Sequence, residues 1–228
     1  MAIIAIKRIQ EFLSSQIQAW DGIRSRETLS GKDLPVITLS MEPGSGGSQI
    51  ARDVAERLGF DHFHRELLEV VASDAHVSSK VIEKLEKERL SGIQDIISQM
   101  IDTQYLHQDV YLDHLKKIVQ TIGRRGYGVI VGRGANFILP PDTRLAVRVV
   151  APLDQRVGRI SKQFNTPPED AEKRILNREE KRAAFIKHAF KQDIRLSVHY
   201  DLVINTGILT LDAASRLICA AWFLKFFE

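Results

Sequence analysis

The stretch MEPGSGGSQ, from Met41 to Gln49, sets three glycines and two serines between an apolar run and an amphipathic one. Glycine reaches backbone angles that a side chain forbids, so Gly44, Gly46 and Gly47 let successive N–H groups turn into one hollow. A helix starting near Gly47 would add its own unpaired N–H groups and the positive end of its dipole. The chemistry this allows is anion binding, of phosphate above all, by backbone groups alone. The commoner phosphate-binding loop reads G-x-x-x-x-G-K-[ST], and its lysine reaches the outer phosphates. In the register that sets Gly46 on the second glycine, Met41 falls on the first and Gly47 replaces the lysine. Ser48 then takes the hydroxyl position, from which it would coordinate magnesium. The competing reading is a tight strand-to-helix turn that binds nothing.

Loss of the lysine calls for cations elsewhere, because positioning and charge stabilisation supply nearly all phosphoryl-transfer catalysis. Arg52, one turn into the helix, reads as a solvent-facing arginine. Arg133, in VIVGRGANFIL, directly follows a buried strand, where it is poorly explained as core and is placed to hold a substrate phosphate. The richest source is the basic stretch Leu153–Lys191. Arg156 and Arg159 lie three apart there, and Arg174, Arg178 and Arg182 follow at steps of four, spacings that share a helix face. Aligned guanidiniums grip phosphate in bidentate fashion. Glu169, Asp170, Glu172, Glu179 and Glu180 are interleaved, and charge pattern alone describes a solvated helix better; the position of the stretch, after a strand and over the loop, makes it a lid. The seven histidines show no metal-binding spacing. His64-Arg65-Glu66 stands apart from the rest, at the opening of an insertion where a monophosphate acceptor could sit.

Such residues need a frame. Short β-branched runs recur at 36–40, 128–132, 145–150 and 201–205, with a shorter one at 60–64, separated by helical stretches. Runs that are apolar on both faces suit a parallel sheet covered by helices, an α/β three-layer fold. The expected helices are Gly47–Leu58, Arg65–Ser73, Ser78–Met100, Tyr105–Arg124, Leu153–Phe164, Pro167–Phe190 and Leu211–Phe226. Ligands in such a sheet gather beyond the carboxyl ends of the strands. Residues 1–34 read as an amphipathic helix and linker, with Ile6, Ile9, Phe12, Leu13, Ile17 and Trp20 on one stripe. That helix is a candidate surface for self-association. Residues 35–228 form the main domain. A formal net charge of +3 over 228 residues marks no bulk nucleic-acid binder, and no stretch approaches the length of a membrane span. The single Cys219 excludes an internal disulfide and, lying in an apolar run, reads as a structural thiol in a cytoplasmic protein.

The segments ITLSMEPGSGGSQIARDVAERLGF, FHRELL, GVIVGRGANFIL, VRVVAPLDQRVGRI, NREEKRAAFIKHAF and YDLVINTG carry a family likeness. From about Leu34 to Glu228 the chain resembles the cytidylate kinase-like proteins of the P-loop nucleoside-monophosphate kinase superfamily. Their loop reads E-x-G-S-G-G, kept here as Glu42, Gly44, Ser45, Gly46 and Gly47. The resemblance implies a P-loop NTPase-type fold with a five-stranded parallel sheet, an acceptor-binding insertion at about 65–125 and an arginine lid at about 153–191. It implies ATP as donor, with Mg2+. Gly44, Ser45, Gly46, Gly47, Ser48 and Gln49 would meet the donor phosphates, Arg65 and Arg133 the acceptor, and Arg178 and Arg182 would be the catalytic lid arginines. Two departures stand out: Gly134 replaces the aspartate of the family's G-R-D segment, and histidine and phenylalanine near FHRELL replace an aspartate and a tyrosine. Two functions remain open, a kinase acting on a nucleoside monophosphate or similar small acceptor, and a non-catalytic nucleotide-binding sensor.

Overall fold

A computed structural model describes residues 35–64 and 108–227. The expected N-terminal helix, the two helices between Arg65 and Met100, and Arg65 itself lie outside the described residues. Five strands form one parallel sheet in the order β2-β3-β1-β4-β5: β1 Val36–Met41, β2 Asp61–Phe63, β3 Gly128–Val131, β4 Arg144–Val150 and β5 Leu202–Asn205. Its parallel register, for example Thr38 beside Ile130 and Ala146, follows from strands that are buried on both faces. Helix α1 covers Gly47–Leu58, α2 Gln108–Arg125, α3 Ala135–Ile138, α4 Leu153–Phe164, α5 Pro168–Phe190 and α6 Leu211–Phe227. The described helices follow the expected ranges closely, except for the short α3, which was not expected. The helix expected at 105–124 is described from 108, and the lid helix starts at Pro168, with Pro167 as its cap.

Strand alternation divides the core in two. Ile37 and Leu39 point to the face packed by α1 and α6, while Val36 points to the face packed by α2. Trp222 anchors α6, fully buried, with its indole N–H donating to the Pro35 carbonyl at 2.9 Å. Cys219 lies one turn earlier against the same core, and burial pushes its thiol up to about 12, the behaviour of a structural residue. At the start of β4, burial lowers the pKa of Arg144, and Asp201 alongside it works in the opposite direction. β1 occupies the centre of the sheet, between β3 and β4, so the segments leaving these strands gather at one edge. Among the described residues no helix is long and apolar enough to cross a membrane.

Candidate functional site

The loop after β1 turns on two left-handed glycines before it enters α1. Gly44 and Gly46 both have φ of +83°, and Gly46 caps α1, accepting from the N–H groups of Gln49 and Ile50 at 3.0 and 3.1 Å. At such angles an L side chain is strained, and a Cβ on Gly46 would also stand 2.6 Å from Leu211 Cδ2. Ser48 and Gln49 are exposed at the helix start. Ser45 faces inward, fully buried, so it offers the loop its backbone: its carbonyl accepts from Thr206 Oγ1 at 2.7 Å.

Glu42 supports the loop from behind. Its carboxylate accepts the Ala151 N–H at 3.1 Å and lies 3.6 Å from Arg156 and 3.9 Å from Arg148. Arg156 reaches on to Glu179 of α5 at 2.7 Å. Arg159 donates to the Thr206 carbonyl and hydroxyl at 2.7 and 3.1 Å. These contacts correct one expectation. Arg156 and Arg159 were candidates for gripping phosphate, yet both join the loop to the ends of β4 and β5: Arg156 is buried between the Glu42 and Glu179 carboxylates, and Arg159 is bonded to Thr206. Arg174 is likewise diverted, its guanidinium lying 4.4 Å over the Phe164 ring.

Arg178 and Arg182 behave differently. Together with Lys181 and with Arg133 from the end of β3, they line one cavity of about 380 Å³ at the sheet edge, with Met41 of the loop on its wall. Arg182 also donates to the Met41 carbonyl at 2.7 Å, which holds α5 down on the loop. Arg133 has φ of +52°, uncommon for a residue with a side chain, and its guanidinium lies 5.4 Å from the centre of the Phe185 ring. The described residues lining this cavity include no carboxylate. The arrangement is electropositive, and it brings Arg133, expected at the acceptor, together with the arginines expected in the lid.

Two departures acquire a physical cause, one from the family's pattern at Gly134 and one from the commoner lysine-bearing loop at Gly47. Gly134, where the aspartate is missing, has φ of +71°, and a Cβ there would run into the Phe190 ring at the end of α5. Phe190 in turn stacks on Phe137 at 5.6 Å, so the lid's end occupies the space an aspartate would need. At Gly47 the obstacle is Met41: an added Cβ would stand 2.6 Å from Met41 Cβ and 2.8 Å from its sulfur. The methionine on the loop's first-glycine position fills the path on which a lysine side chain would leave residue 47.

Residue-by-residue reading missed Lys181, Thr38 and Asn136, all of which line the cavity. Lys181 was detectable, lying three residues from Arg178 on the same face. Thr38 is a polar residue inside an apolar strand run, a weak sign. Nothing in the sequence singles out Asn136.

A glycine-rich loop between the first strand and first helix of a parallel α/β sheet, closed over by a basic helical pair, defines a P-loop type phosphate-binding protein. The profile of the cytidylate kinase-like family matches residues 36–208, well over half of the chain, and the protein belongs to that family. It is 29% identical over 173 residues to the cytidylate kinase of Methanothrix thermoacetophila, covering 75% of this chain and 88% of that one. The cytidylate kinase of Ignicoccus hospitalis is 26% identical over 185 residues, covering 81% and 97%. Among solved structures, an uncharacterized protein from Eubacterium ventriosum superposes with a TM-score of 0.61 at 17% identity, covering 82% of this chain and 96% of that one.

Proposed function

We propose that the protein is a nucleotide kinase, which transfers the γ-phosphoryl group of ATP to a phosphate oxygen of a nucleoside monophosphate, cytidylate-like, or of a similar small acceptor. ADP leaves with the bridging oxygen. The observation that carries this reading is the shared cavity: Arg133, Arg178 and Arg182 meet beside the glycine loop, where donor and acceptor phosphates must meet. In this reading the Gly44–Gln49 loop holds the donor's phosphates through backbone N–H groups other than those of Ser45 and Gln49, which donate to the Glu42 and Gly46 carbonyls, and Arg133 holds the acceptor. Arg178 and Arg182 supply the charge that the loop lacks, while α5 excludes water. Arg65 lies outside the described residues and keeps its proposed place at the acceptor.

Magnesium at such sites is held by one or two protein groups, substrate oxygens and waters. Ser48 fits one of these positions: its exposed hydroxyl donates to the Met41 sulfur at 3.5 Å, a weak acceptor. Glu42, the loop's own carboxylate, is already engaged by Ala151 and the arginines. Ser48 is the residue that would hold the ion, whose chemistry when bound would be to neutralise charge developing on the outer phosphates.

The alternative, a nucleotide-binding sensor, draws support from the filled lysine path at Met41. ADP release from ATP, followed across a panel of nucleoside monophosphates, separates the two. Turnover with at least one acceptor is expected; nucleotide binding without any turnover would overturn the kinase. Arg133→Met keeps most of the side-chain volume and removes the charge. Calorimetry should show the monophosphate weakened by about 1.5–3 kcal/mol, the worth of a charged hydrogen bond, with ATP affinity little changed. An unaltered monophosphate affinity would return Arg133 to a structural role.

A further inference from the structure

The cavity that collects the arginines is also lined by residues with polar atoms that find no partner among the described residues. Thr38, in the middle of β1, is 2% exposed, and Asn136, on α3, is 7% exposed. Both line the cavity, and neither Thr38 Oγ1 nor Asn136 Nδ2 has a hydrogen-bond partner among the described residues. A buried polar group left unpaired destabilises the fold. The sheet has no need of a hydroxyl at this point: Val36, two residues earlier on the same face, packs in an apolar cluster. Two such atoms in one cavity, under cationic walls, ask for a ligand with an anionic head and an uncharged polar body.

We infer that Thr38 and Asn136 are specificity-determining residues, receiving hydroxyl groups on the uncharged part of a small phosphate monoester whose phosphate lies among Arg133 and the lid cations. The inference rests on the proposed use of this cavity by the acceptor. Its volume of about 380 Å³ suits a small ester, near the lower end of the range for ligand pockets. A threonine hydroxyl donates and accepts, and a carboxamide N–H donates, so the pair complements hydroxyls, which do both. A site built to bond a hydroxyl rejects an analogue that lacks it, because its own buried groups are then left unpaired.

The test is calorimetry of the wild type, Thr38→Val and Asn136→Leu with cytidine 5′-monophosphate, ribose 5-phosphate and inorganic phosphate. The wild type should bind at least one ester more tightly than inorganic phosphate. Each substitution should weaken that ester roughly tenfold, the scale of a lost hydrogen bond, and leave inorganic phosphate unchanged. Thr38→Val should melt at or above the wild-type temperature, since it removes an unpaired buried hydroxyl at nearly constant shape; this variant decides the matter alone if Asn136→Leu fails to fold. Esters no tighter than inorganic phosphate in the wild type, or an ester advantage that persists in Thr38→Val, would overturn the inference. Turnover with ATP is scored separately: its absence counts against the kinase, whereas unaltered ester binding in the variants counts against these two residues.

Discussion

Replacing Arg178 and Arg182 together by alanine is expected to lower kcat by on the order of 10³-fold, the scale of other arginines supplied to a transferring phosphoryl group. The two side chains approach one cavity from successive turns of α5, and the loop contributes no lysine to share their task. An interaction made chiefly in the transition state shows itself as a fall in kcat larger than any loss of ground-state binding. Calorimetric affinities for ATP and the monophosphate should therefore shift much less than turnover. Arg182 also ties α5 to the Met41 carbonyl, so its loss loosens the lid as well as removing charge. Arg178 is exposed, and Arg178→Ala alone should keep the melting temperature while still depressing kcat. Undiminished turnover in the double variant would remove both arginines from the mechanism.

The second large effect concerns stability. Gly47→Lys, the change that would restore a conventional loop, should destabilise the protein by about 1–3 kcal/mol, as overpacking does. Gly47 is the first residue of α1 and has no positive φ, so its backbone accepts a side chain; the space does not, because Met41 already fills it. Met41→Gly should relieve the clash. In a cycle of the two single variants and the double, followed by denaturant unfolding, the double variant should be more stable than the summed single effects, with a coupling of about 1–3 kcal/mol. The double variant should also bind ATP more tightly than the wild type, since an ammonium then reaches the phosphates. Strict additivity would show that Met41 and Gly47 are two unrelated departures.

Much of this protein is written locally in its chain. Strand runs bounded by turn residues, amphipathic helices, prolines opening α5 and the glycine pattern after β1 are short-range signals, and they determined the parallel α/β architecture and the place of the phosphate loop. Pairwise space across the fold is not a short-range signal. The sequence shows a methionine at residue 41 and a glycine at residue 47; that the first side chain occupies the volume the second would need is a fact of tertiary packing. The arginines make the same point. Arg156, Arg159, Arg174, Arg178 and Arg182 look alike in the chain, at helical spacing amid acids. Only the fold puts Glu42 beside Arg156, Thr206 beside Arg159, Phe164 under Arg174, and Arg178 and Arg182 on the cavity wall. Which partner each guanidinium meets depends on packing across the fold, and packing is set by every element at once.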